Sequence, residues 1–80
     1  MTLIKVYSTP TCPWCRMLKD FLKERNVEFE NIDVSTNAEA AREMVAKSGQ
    51  RGVPQIDING TLIVGFDQES IEKELKRIGK

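Results

Sequence analysis

Cys12 and Cys15 are the side chains of this chain most able to do chemistry, and Pro13 and Trp14 stand between them. The pair follows the apolar run Leu3, Ile4, Val6 and Tyr7 and precedes a helical pattern, so a C-x-x-C motif opens a helix directly after a strand. Proline suits the first helical position, where its missing N–H has no partner to lose. Cys12 then falls at the N-cap, where a side-chain acceptor meets free backbone N–H groups. A thiolate there lies at the positive end of the helix dipole, which favours its charge. Cys15 is one turn along, close enough to close a small disulfide ring. So short a loop constrains the unfolded chain little, which makes a purely structural bridge a poor use of the pair. The chemistry implied is exchange: Cys12 attacks a disulfide, and the more covered Cys15 resolves the mixed disulfide that forms. Arg16 and Lys19 could add positive potential there, or be ordinary solvated helix bases.

The elements that must hold this pair are legible from periodicity. A first strand is expected over Leu3 to Tyr7, with Ser8 to Thr11 as the loop that delivers Cys12. Helix one is expected from Pro13 to Arg25, with Trp14, Leu18, Phe21 and Leu22 as its apolar side and Asn26 as its stop. Val27 to Val34 reads as a second strand, parallel to the first through a right-handed crossover. Thr36 to Glu39 fits a capping box for helix two, whose apolar side is Ala41, Met44 and Val45 and whose end is Gly49. Asn59-Gly60 joins two short strands, Gln55 to Ile58 and Thr61 to Val64, as a hairpin. Asp67 caps a last helix with the stripe Ile71, Leu75 and Ile78. The order is β-α-β-α-β-β-α, one sheet with helices against its faces.

Composition narrows the function classes. At 80 residues the chain is expected to be a single domain over 1–80, with a modest core. Its 12 basic and 12 acidic residues balance, so composition gives no support to a nucleic-acid or anionic-membrane role. The start lacks the basic and long apolar stretches of a signal peptide, and no apolar run approaches a membrane span. A cytoplasmic monomer is the expectation. In a reducing compartment a C-x-x-C beside a βαβ pattern reads as redox. It is also half of a zinc or iron–sulfur site. With no histidine and two cysteines, one chain cannot supply four soft ligands, so a metal would need a dimer or an outside thiol.

Thr11-Cys12-Pro13-Trp14-Cys15, Gly52-Val53-Pro54, the hairpin after Pro54 and the turn Gly65-Phe66-Asp67-Gln68 together resemble the glutaredoxin branch of the thioredoxin superfamily, over essentially the whole chain. The resemblance implies a minimal thioredoxin fold with a four-stranded mixed sheet, and a thiol–disulfide oxidoreductase with Cys12 and Cys15 catalytic. It implies substrate contacts at Pro13, Trp14, Arg51, Val53, Pro54, Gly65, Phe66 and Asp67, and no metal. By the same resemblance the Val53–Pro54 bond is cis, and the Val53 backbone lies beside Cys12, ready to pair with an extended substrate chain. Trp14 would be a contact platform, Phe66 either a core ring or a site residue, and Asp67 a cap first. Three positions depart from the glutathione-using pattern: Thr9 stands where a lysine often precedes the motif, Gly52 replaces a threonine, and Gly65-Phe66 replaces a Gly-Gly pair. Gly-Phe resembles redoxins recharged by thioredoxin reductase, whereas Arg51 could still meet a glutathione carboxylate. The expected partners are therefore disulfide-containing proteins, with thioredoxin reductase or glutathione as reductant and no tightly bound cofactor. The alternatives are a glutathione-dependent glutaredoxin and a dimer bridging an iron–sulfur cluster, which Pro13 disfavours by resemblance.

Overall fold

The computed structural model describes residues 4–79. Leu3, expected at the start of the first strand, lies outside them. The elements follow in the order β1 (Ile4–Ser8), α1 (Pro13–Glu24), β2 (Glu30–Asp33), α2 (Ala38–Ser48), β3 (Gln55–Ile58), β4 (Thr61–Val64) and α3 (Gln68–Arg77). The strands form one sheet in the order β2-β1-β3-β4. β1 runs parallel to β2 and antiparallel to β3, and β3 is antiparallel to β4, so the sheet is mixed.

Strand alternation sorts the side chains to two faces. Ile4, Val6, Ile56 and Ile58 meet Leu18 and Leu22 of α1 and Ile71 and Leu75 of α3, the larger core. Tyr7 meets Ala40 and Met44 of α2 on the other face, with Ile32, Val53 and Leu62 packed around them. Central strand β3 is therefore buried on both sides, and Gln55 and Asp57 are carried inside with it. Both make hydrogen bonds, as burial demands, although the Gln55 side-chain oxygen has no partner among the described residues. Asp57 pairs with Lys47 at 3.2 Å and accepts from the Gly60 N–H at 2.8 Å. Glu43 first and Asp57 second hold the Lys47 ammonium above its usual range. Arg25 lies over the Phe21 ring at 4.3 Å and pairs with Glu72, tying the end of α1 to α3.

Three boundaries and the buried faces of two helices differ from expectation, each for a local reason. The first strand extends through Ser8, because the Ser8 carbonyl accepts from the Val34 N–H. The second strand is shorter than expected: Val27 is buried, yet it belongs to the turn closing α1, where its N–H bonds Leu22. Helix α2 is capped by Asn37 rather than Thr36; the Asn37 side chain accepts from the Ala40 N–H at 3.0 Å, while Thr36 belongs to the Asp33 turn. Its buried residues are Ala40 and Met44, with Val45 half-buried. The buried side of α1 is Cys15, Leu18 and Leu22, whereas Trp14 is 58% exposed.

Candidate active site

Four segments converge at one end of the sheet: the loop after β1, the first turn of α1, the loop before β3 and the turn after β4. The first two set the cysteines. Cys12 is the N-cap of α1 with extended backbone, φ −93° and ψ 112°, and Pro13 takes the next position. The Cys15 N–H donates to Cys12 Sγ at 3.2 Å, a contact that a thiolate accepts more strongly than a thiol. Cys12 is half-buried and Cys15 fully buried, and both are free thiols. Burial first, then the neighbouring Cys12 sulfur, pushes the Cys15 thiol up to about 11. One thiol is thus reachable, and the other is kept protonated one turn behind it.

The loop before β3 brings a backbone acceptor to the sulfur. The Val53–Pro54 bond is cis, and the Val53 carbonyl lies 3.9 Å from Cys12 Sγ, within reach of the thiol proton. What fixes this loop is Gln55, which sequence reasoning missed. Its side chain is fully buried, and its amide donates to the Gln50 carbonyl at 3.0 Å and the Gly52 carbonyl at 2.8 Å. A glutamine opening a short strand carries no signal of such a clamp, since its burial follows only from β3 being central.

The Gly65 N–H donates to the Pro54 carbonyl at 2.8 Å, which holds the turn after β4 against the same loop. Gly65 has φ +83°, the left-handed region that favours glycine. The Phe66 ring is turned onto Phe21, edge to face, with ring centroids 5.7 Å apart. It packs against the larger core and flanks a shallow surface cleft with Met17 and Gln68, so the ring is committed to the α1 side. Asp67 caps α3; hydrogen bonds from the Ser70 hydroxyl and N–H hold its carboxyl below the usual range. Arg51 is exposed and lines a groove with Val34, Met44 and Val45 of the α2 side, apart from the cleft that contains Cys12. Thr9, Cys12, Arg16, Lys19 and Lys23 line that second cleft. Of these, Lys23 was not singled out by sequence, because a helix-surface lysine at that spacing is usually only solvated.

Comparisons with known proteins bear on the family and the fold. The family model described as Glutaredoxin matches residues 4–63. An uncharacterised glutaredoxin-like 8.6 kDa protein of the rubredoxin operon of Clostridium pasteurianum is 44% identical over 75 residues, 94% of this chain and all of that protein. Glutaredoxin 3 of Escherichia coli is 36% identical over 67 residues, covering 84% of this chain and 81% of that one. Among solved structures, the glutaredoxin-like NrdH-redoxin of Escherichia coli superposes with a TM-score of 0.80 at 28% identity, covering 88% of this chain and 91% of that one. A variant of a thioredoxin-like protein reaches a TM-score of 0.88 at 34% identity, over 95% of this chain and 97% of that one.

Proposed function

Because the chain belongs to the glutaredoxin family of thiol–disulfide oxidoreductases, we propose that it reduces protein and mixed disulfides through Cys12 and Cys15, and that thioredoxin reductase recharges it better than glutathione does. The observation that carries the first part is the division of the two thiols. Cys12 accepts from the helix's free N–H and is reachable, while Cys15 is buried behind it. The Cys12 thiolate attacks a substrate sulfur, forming a mixed disulfide and expelling one thiolate. Cys15 gives up its proton and attacks Cys12 Sγ, which releases the second thiolate and leaves a Cys12–Cys15 disulfide. The Val53 carbonyl, beside Cys12, offers an acceptor to the backbone of an extended substrate. Two further electrons from the reductant restore the dithiol.

Two features support the choice of reductant. Thr9 supplies no cation beside the motif, and Arg51 lies along the α2 groove rather than in the Cys12 cleft. The NrdH-redoxin is described as having a thioredoxin-like activity profile, and this chain shares its fold and a Gly-Phe after β4 that resembles such redoxins. The reading places the protein in the cytoplasm as a single-domain monomer; among the described residues, no helix is long and apolar enough to cross a membrane.

The test compares NADPH consumption on one model disulfide, with thioredoxin reductase in one arm and glutathione with its reductase in the other. Faster turnover in the first arm is expected; equal or faster turnover with glutathione overturns the choice of reductant. Cys15→Ser should accumulate a mixed disulfide on Cys12, visible by mass spectrometry, and Cys12→Ser should abolish reduction. A mixed disulfide found on Cys15 instead would reverse the two roles.

A further inference from the structure

The two flanks of α1 differ in charge. Arg16, Lys19 and Lys23 line the cleft on the β2 side. On the α3 side, Met17, Phe21 and Phe66 give an apolar lining to a second cleft of about 220 Å³, with Asp20, Glu24 and Gln68 around it. That volume is below the range of small-molecule sites and suits a single side chain. Met17, Asp20, Phe21 and Glu24 fall at i, i+3, i+4 and i+7, one face of the helix. Trp14 begins the same strip three residues earlier, and Trp14 and Met17 are 58% and 47% exposed. The strip therefore leads from the turn that holds the cysteines into the cleft. Phe66 follows Gly65, whose N–H is bonded to the Pro54 carbonyl, so the cleft is also joined to the loop that presents Val53.

The two carboxylates weaken the helix that carries them. Asp20 and Glu24 are like charges one turn apart, and Glu24 is the last residue of α1, at the negative end of its dipole. Among the described residues neither has a cation within 4.0 Å, whereas Glu43, Glu69, Glu72 and Glu74 are all paired. Arg25, the next residue, is turned onto Phe21 and Glu72 instead. An incoming cation relieves the repulsion and complements the dipole; an incoming anion adds to both.

We infer that this cleft is a specificity subsite for disulfide-bearing proteins, taking the side chain of a lysine or arginine about two to four residues from the cysteine under attack. The inference rests on Cys12 attacking protein disulfides. At about 1.5 Å per residue, Asp20 stands about 12 Å and Glu24 about 18 Å along the helix from Cys12. About two to four extended residues cover roughly 7–14 Å, and the basic side chain spans the remainder. Its aliphatic stem lies on Met17 and Phe66, and its charged head meets the carboxylates. The subsite holds the substrate while the Cys12 thiolate attacks the nearer sulfur, the substrate S–S bond breaks and one substrate thiol leaves as thiolate. Cys15 then gives up its proton to solvent and displaces the second thiolate, so the cysteine pair passes two electrons to the substrate. On the other flank Arg16, Lys19 and Lys23 repel the same basic side chain, which orients the substrate.

The experiment uses pre-reduced full-length protein in single turnover, with the Cys12–Cys15 disulfide quantified by mass spectrometry. The probes are short alanine–serine peptides, each joined through its one cysteine as a symmetric disulfide. Lysine, norleucine or glutamate is placed at one position, scanned outward on either side of that cysteine. Each rate is divided by the same probe's rate with dithiothreitol, which removes intrinsic reactivity. At low salt, lysine about two to four residues from the cysteine, on one side of it only, should exceed norleucine by about threefold or more. Glutamate should fall below norleucine at the same positions. The double variant Asp20→Asn, Glu24→Gln should abolish the lysine advantage, and Glu24→Lys should reverse it. Because the double variant removes a repulsion and no contact, it should unfold at the same denaturant concentration as wild type or a higher one. A lysine advantage equal at every position, one that survives in the double variant, or lysine no better than norleucine overturns the inference and leaves the dithiol reductase reading standing. Earlier unfolding of the double variant makes the carboxylates structural and overturns it as well. Failure of every peptide to oxidise the protein overturns the reductase reading itself.

Discussion

A thiol as fully buried as Cys15 links the redox site to the stability of the fold. Its folded-state value, about 11, is raised above the ordinary thiol value of 9.0, chiefly by burial. For a group raised in this way the stabilisation is complete below the unfolded value and is lost as pH climbs through the folded one. Wild-type protein should therefore lose stability between pH 9.0 and about 11 more steeply than Cys15→Ser does. Urea unfolding of both, at pH values on either side of that window, checks this; equal slopes would mean that the thiol titrates as in the unfolded chain. Gln55 acts at the same scale and on the same site. Replacing it by leucine keeps the volume near-constant but takes the Gln55 donor from the Gly52 carbonyl and leaves the Gln50 carbonyl with the Ser48 hydroxyl alone. A stranded carbonyl costs about 1–3 kcal/mol where water cannot reach it. The expected outcome is a lower unfolding midpoint together with a higher KM for a protein disulfide, because the loop that presents Val53 is no longer clamped. A loss of stability with KM unchanged would make Gln55 purely structural.

At the scale of elements, the start of α2 offers a clean comparison, because the capping box expected at Thr36 gives way in the structure to a cap at Asn37. Asn37→Ala removes the acceptor for the Ala40 N–H and should cost about 0.5–2 kcal/mol, while Thr36→Ala should cost only a few tenths. Denaturant midpoints of the two variants decide it, and the reverse order would restore the capping box at Thr36. The capping-box spacing from Thr36 to Glu39 points to Thr36, but Asn37 is as good a cap by residue type, and the Asp33 turn takes Thr36 instead. Elsewhere the elements were readable where a local rule forces them. Asn59-Gly60 takes positive φ at both positions, as a two-residue hairpin requires, and Asp67 caps α3 directly before the Ile71 and Leu75 stripe. Readings failed where tertiary placement overrides local pattern. Val27 and Phe29 look like strand residues because they are apolar, yet Val27 fills the core from a turn. Trp14 was placed in the apolar stripe of α1, but Cys15 takes the inward position at that turn and leaves the indole at the surface, where a contact platform would have to be. The site itself was largely legible, since C-x-x-C and Gly52-Val53-Pro54 are local; Gln55 and the cleft row ending at Lys23 were not, because they depend on which strand is central and which helix face borders β2.

The whole molecule poses a choice between reductants, and its geometry shifts the grounds of that choice. On sequence alone, Phe66 in place of a small residue looks like the main obstacle to glutathione. The folded chain turns that ring onto Phe21 and into the α1–α3 packing, so its bulk is spent on the core. Removing it should loosen the fold through lost aromatic burial, with no cation or donor gained at the site. The missing charge at Thr9 is then the stronger argument. Thr9 lies in the same cleft as Cys12, so a lysine there would place an ammonium where an anionic tripeptide's carboxylate could reach it. A charge-assisted hydrogen bond of about 1.5–3 kcal/mol corresponds to roughly a tenfold to hundredfold gain in affinity. Thr9→Lys should therefore raise kcat/KM with glutathione by up to that factor while changing the rate with thioredoxin reductase much less, because a protein partner spreads its contacts over a larger surface. The two coupled NADPH assays, run on wild type and variant with the same disulfide, measure both numbers. An equal gain in the two assays would mean that the new cation acts on Cys12 itself, and the absence of any gain with glutathione would mean that its carboxylates lie elsewhere, with the Arg51 groove as the place to look.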